Sequence, residues 1–135
     1  MKRRTIIISL IVLVGLVGIY VILSYLREFS GPVSSDITKH NLTDRPEKFE
    51  VRIEDNAKFP DHMDLKMSGK INGVGILSFG WNDKASYQKA TIADNFNVEY
   101  KGDWYSDICI IKYEPISATK GELTIDYTIF SLGRK

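Results

Sequence analysis

Residues 64–81 read DLKMSGKINGVGILSFGW, and how this stretch is read decides the fold. Two strand-like runs flank Asn72-Gly73, a dipeptide suited to the two positive φ angles of a type I′ turn. A two-residue loop here pairs Ile71 with Val74, Gly69 with Ile76, Met67 with Ser78 and Leu65 with Gly80. That row is apolar or small and is expected to face a core. The opposite row sets Lys70, Ser68 and Lys66 beside Gly75, Leu77, Phe79 and Trp81, so one side of the hairpin is only partly covered.

Working outward, SYQKATI (86–92), the loop Ala93-Asp94-Asn95 and FNVEYK (96–101) predict a three-residue hairpin with Asn95 in the left-handed position. Its register puts Ala90, Ile92, Phe96, Val98 and Tyr100 on one face. It also sets Lys89 opposite Glu99 and Thr91 opposite Asn97 on the other. Lys101-Gly102-Asp103 then turns the chain into WYSDICIIKYEP (104–115). Trp104, Ser106, Ile108 and Ile110 are expected on its core side, with Tyr105, Asp107, Cys109, Ile111 and Tyr113 opposite. Large apolar groups in both rows predict a central strand, closed by Pro115. Downstream, Leu123, Ile125, Tyr127 and Ile129 alternate with Thr124, Asp126 and Thr128. Upstream, Phe49, Val51 and Ile53 alternate with Glu50, Arg52 and Glu54.

The sum is about seven short strands in residues 48–135, an all-β class. The expected architecture is a small antiparallel β-sandwich, with a small open β-barrel as the alternative. The chain has one cysteine, Cys109, so no intrachain disulfide forms. Set in Ile108-Cys109-Ile110-Ile111, it reads as a small buried apolar residue.

Ahead of this domain lies TIIISLIVLVGLVGIYVILSYL, residues 5–26, without a charge. As a helix it is ~33 Å long, enough for a bilayer core of ~30 Å. Lys2, Arg3 and Arg4 precede it, whereas Arg27 and Glu28 cancel after it, which keeps the amino terminus inside. The expected layout is a basic cytoplasmic stub (1–4), a transmembrane signal-anchor helix (5–26), a tether (27–47) and an extracytoplasmic domain (48–135). The rival reading is a cleaved signal peptide cut near Gly31 or Ser35. It suits this segment less, because the apolar run is long and no small-residue cleavage site follows it directly.

Beyond the three leading cations the chain carries fifteen basic against seventeen acidic residues, which gives no electrostatic footprint for nucleic acid. Asp61, His62 and Asp64 cluster in one segment but read as ordinary loop residues; no metal and no cofactor is expected. No nucleophile elbow, phosphate loop or zinc signature appears, so catalysis is the weakest reading. The constellation that stands out is aromatic. Phe79, Trp81, Tyr87, Trp104, Tyr105 and Tyr113, with Asp103 and Asp107, are candidates for stacking on sugar rings or anchoring a partner. The expected function is a membrane-anchored, non-catalytic interaction module outside the cytoplasm, with an envelope protein or a glycan as partner and the bilayer engaged through residues 5–26. The alternatives are a glycan-binding domain proper and, last, a small envelope hydrolase.

Overall fold

The computed structural model describes residues 12–24, 30–53, 60–84 and 87–132. Six strands make one antiparallel sheet: β1 (Ser30–Thr43), β2 (Glu47–Arg52), β3 (Pro60–Gly80), β4 (Gln88–Asp103), β5 (Ile108–Pro115) and β6 (Lys120–Leu132). Their order is β1-β6-β3-β5-β2, with β4 along the remaining edge of β3. The sheet is nearly closed and barrel-like, so the barrel alternative holds and the two-sheet sandwich does not.

The reason is β3. The expected hairpin at Asn72-Gly73 does not form; the chain runs on through it as one strand of 21 residues. The first half of β3 pairs with β6 from Pro60 to Ile71, and the second half pairs with β5 from Gly75 to Gly80. One strand thus belongs to both halves of the sheet, and the halves cannot separate into two layers.

The second expected hairpin fails in the same way. β4 runs unbroken through Ala93-Asp94-Asn95 and pairs with β3 along its whole length. Lys70 pairs with Asn95 and Val74 with Ala93, so the two turn signals lie opposite each other. What each was expected to do alone, reversing one strand, they do together as a corner that bends a two-stranded ribbon. Gly73 takes φ 108° and Asp94, rather than Asn95, takes φ 49°. Lys66, not Lys89, therefore stands opposite Glu99, with Nζ and Oε1 3.8 Å apart.

The connection between β5 and β6 docks on this corner. The Val74 carbonyl accepts hydrogen bonds from the Ile116, Ser117 and Ala118 amides at 2.9–3.1 Å. Asn72 Oδ1 accepts from the Thr119 amide at 3.1 Å and the Lys120 amide at 2.9 Å. The corner is thus pinned at the point where β6 gives way to β5.

Side chains pointing into the curl form the core. Met63, Leu65, Met67, Ile71, Leu77 and Phe79 come from β3, Ile92 from β4, and Leu123, Ile125 and Ile129 from β6. From β5 come Cys109, Ile111 and Tyr113, the row opposite to the one expected inside. Ile110 is buried as well, as suits a strand paired on both edges. Val51 and Ile53 are buried and Phe49 packs against the core, as their alternation predicts.

Residues 30–43, expected within the tether, are strand β1, paired with β6 from Ser30 to Thr43. Gly31-Pro32 and Ser34-Ser35, residue pairs that ordinarily interrupt a periodic element, are absorbed there. A register shift between Pro32 and Ser34 accommodates the proline, and Leu42 is buried while most of the other β1 side chains face solvent. Residues 12–24 are helical, every one of them exposed. Among the described residues no helix is long and apolar enough to cross a membrane, and the expected span 5–26 reaches beyond the described residues at both ends.

Candidate functional site

The bend in the β3–β4 ribbon builds the site. Phe79 and Tyr100 sit at opposite ends of that ladder, where Phe79 pairs with Gln88 and Tyr100 with Leu65. On a straight ribbon those ends are separated by ~45 Å, at ~3.3 Å per residue. Their ring centroids are 5.1 Å apart. The ribbon has folded back on itself and brought its two aromatic ends together.

Around the buried Phe79 ring gather Tyr87 and Trp104, each with its centroid 6.1 Å away. Tyr87 stands edge-on to Tyr100 at 5.3 Å and to Trp104 at 6.3 Å, and Trp81 stands edge-on to Tyr87 at 6.1 Å. Tilted and edge-to-face pairs of this kind add to the stability that burial alone gives. Backbone bonds fix the frame. The Tyr87 amide donates to the Phe79 carbonyl at 2.7 Å, and the Trp104 amide to the Asp61 carbonyl at 3.0 Å. The Ile53 amide donates to the Asp107 carbonyl at 3.0 Å, tying the segment before β5 to the end of β2.

In front of this cluster lies an open cleft of about 630 Å³, lined by Trp81, Tyr87, Asp103, Trp104, Tyr105, Ser106 and Asp107. Six of the eight residues singled out in the sequence therefore meet at one place. Their exposures sort them by role. Trp81, Tyr87 and Tyr105 are 48%, 54% and 77% exposed, whereas Trp104 is 3% exposed and forms the rigid floor. Phe79 lies behind the floor, buried, and Tyr113 is buried in the core; neither lines the cleft. Both are corrections to the expected site. Their places on β3 and β5 follow from β3 not reversing, which turns the row holding Leu77 and Phe79 inward.

Tyr100, which alternation placed on one face with Ile92 and Phe96, is a further participant. It is half-buried, and its hydroxyl donates to the Asp103 carbonyl at 2.7 Å, so it holds the end of β4 that carries Asp103. Burial foremost, then the neighbouring Tyr87, pushes its phenol up to about 12. The Tyr105 phenol is raised too, first by the charge of Asp103 and in smaller part by Asp61. Asp103 and Asp107 put two carboxylates in the lining of the cleft. Trp104 Nε1 is buried and has no hydrogen-bond partner among the described residues.

Elsewhere, His62 Nε2 lies 3.2 Å from Asp64 Oδ1, with Lys101 Nζ 3.6 Å from Asp64 Oδ2. Among the described residues no group of three or more histidine, cysteine or acidic side chains is arranged to hold a metal ion. Cys109 is buried, and burial pushes its thiol up to about 12.

No family model and no curated protein matches the chain. Solved structures do match. PirA aligns with a TM-score of 0.50 at 11% identity, over 67% of this chain and 92% of that one. PliG of Aeromonas hydrophila, a periplasmic inhibitor of g-type lysozyme, aligns at 0.49 and 13% identity, over 72% of this chain and 87% of that one. A non-crystalline cellulose specific carbohydrate-binding module, CBM28, aligns at 0.45 and 8% identity, over 70% and 73% of the two chains. At such identities the likeness is one of fold, and the fold this chain shares with PirA is an all-β one.

Proposed function

We propose that this protein is a non-catalytic binding module, tethered outside the cytoplasm by residues 5–26, whose aromatic cleft takes a glycan. One observation carries the reading. Trp81, Tyr87 and Tyr105 present exposed rings around a cleft that also holds the carboxylates of Asp103 and Asp107. Sugar rings carry apolar faces of axial C–H bonds and equatorial hydroxyls. Aromatic faces bind the first and carboxylates accept from the second. The Trp104 floor is held by packing on Phe79 and Tyr100 behind it, so the exposed rings are presented without a large ordering cost on binding.

The tether is supported by the uncharged run 5–26 behind Lys2, Arg3 and Arg4. A non-catalytic role is supported by the lining itself. It supplies stacking faces and acceptors, and the one lining hydroxyl on an aliphatic carbon, Ser106, accepts from the Ile108 amide at 3.3 Å.

Titrating a panel of cell-wall and plant oligosaccharides while following tryptophan emission tests this. Binding is expected to perturb the emission of Trp81. Trp81→Ala is expected to weaken binding by at least about tenfold, the usual weight of one stacked ring. Unchanged affinity in that variant, or no saturable binding across the panel, overturns the glycan reading.

A further inference from the structure

We infer that the glycan this cleft takes is cationic: a chain of amino sugars bearing free, protonated amines. The inference rests on the glycan reading above and narrows it. Among the described residues lining the cleft are two carboxylates and no lysine, arginine or histidine. An ionised carboxylate only accepts hydrogen bonds, so Asp103 and Asp107 ask the ligand for donors. A protonated amine brings three donors and a compensating charge. An N-acetyl group brings one donor and a carbonyl that itself needs a donor.

The donors of the lining are the hydroxyls of Tyr87, Tyr105 and Ser106, one proton each, and they serve neutral and charged sugars alike. Trp104 Nε1 is out of reach of solvent. The charge of Asp103 and Asp107 is what favours the amine over the N-acetyl group. The exposed rings favour the same ligand, because an ammonium over the face of Trp81 or Tyr87 is attracted by the ring quadrupole. Stacking alone would accept any sugar. The acids and rings together select a charged one.

The experiment uses the full chain in a non-ionic polyoxyethylene detergent, which has no sugar headgroup and no charge. Calorimetric titration compares four probes: a glucosamine hexamer, its fully N-acetylated counterpart, a glucose hexamer and spermine. The glucosamine hexamer is expected to bind at least about tenfold tighter than either neutral hexamer. Raising the salt from about 50 mM to about 500 mM NaCl is expected to shrink that preference several-fold. Asp103→Asn with Asp107→Asn is expected to abolish the preference and leave the weak neutral binding in place. Neutral hexamers binding as tightly as the glucosamine hexamer overturns the inference and leaves the glycan reading standing. Spermine binding as tightly as the glucosamine hexamer also overturns it, since charge without a sugar ring then suffices. Binding of none of the sugars by a chain with an intact near-ultraviolet spectrum removes the inference and the glycan reading together.

Discussion

Tyr113 is fully buried, and its hydroxyl has no hydrogen-bond partner among the described residues. A buried hydroxyl left unpaired costs about 1–3 kcal/mol relative to its hydrated state. Tyr113→Phe keeps the ring and removes that cost, so it is expected to raise the unfolding free energy by about 1 kcal/mol. Chemical denaturation with the slope unchanged checks it. Cys109 adds a pH dependence. Burial moves its thiol from 9.0 to about 12, so the folded chain keeps this proton where the unfolded chain has lost it. Stability from this source is complete below pH 9 and declines as pH rises toward 12, the direction for a group held neutral in the fold. Tyr100, raised from 10.0 to about 12, acts in the same sense above pH 10. Denaturant midpoints measured from pH 8 to about 11 are expected to fall, and Cys109→Ala is expected to flatten part of that fall. A midpoint independent of pH over this range contradicts the burial of both groups.

The Asn72-Gly73 corner is the element on which the architecture turns. Gly73 takes φ 108°, and a Cβ there would lie 2.8 Å from the Ser117 carbonyl oxygen and 2.9 Å from the Ala118 backbone. Gly73→Ala thus meets both a strained backbone and a rigid neighbour, and a loss of about 2–4 kcal/mol is expected. Asn72→Ala removes the acceptor for the Thr119 and Lys120 amides, and about 1–3 kcal/mol is expected to go with it. Thermal unfolding of the two variants separates them from Asn41→Ala, an exposed control expected to change little. The same corner explains what the sequence did and did not disclose. Strand faces were legible because burial follows period two: Phe49, Val51 and Ile53, then Leu123, Ile125 and Ile129. The faces of β4 survive the wrong connectivity, since a three-residue loop and an unbroken strand both keep Ile92 and Phe96 on one side. β3 is different, because a two-residue loop inverts parity and an unbroken strand does not. The odd positions Met63, Leu65, Met67, Ile71, Leu77 and Phe79 share one face, with only Gly69, Gly73 and Gly75 between them, which is the mark of a continuous strand. Asn-Gly signals positive φ, and both a turn and a bulge use it; only the partner strand decides between them. The cleft was legible as a set of residue types. Its convergence was not, because that depends on a fold-back between two ladder ends distant in sequence.

At the scale of the whole molecule, the unanswered demand comes from the apolar helix. Across residues 12–24 every side chain is exposed, from Val21 at 54% to Tyr20 at 73%. Leaving ten large apolar side chains of this helix in water forgoes on the order of 20 kcal/mol of transfer free energy. That is more than a small barrel has to spare, and a bilayer removes the whole penalty. The chain is therefore expected to stay in the membrane pellet through alkaline carbonate extraction. Orientation is open to a clean test because Cys109, the single native thiol, is buried and protonated and so gives no background. Glu114 is exposed at the end of β5. In intact cells, a membrane-impermeant maleimide is expected to label Glu114→Cys, and to label Lys2→Cys only after lysis, if the leading cations orient the chain as proposed. Release by carbonate would remove the membrane tether, and the opposite labelling order would place the cleft on the cytoplasmic side, out of reach of any glycan of the cell surface.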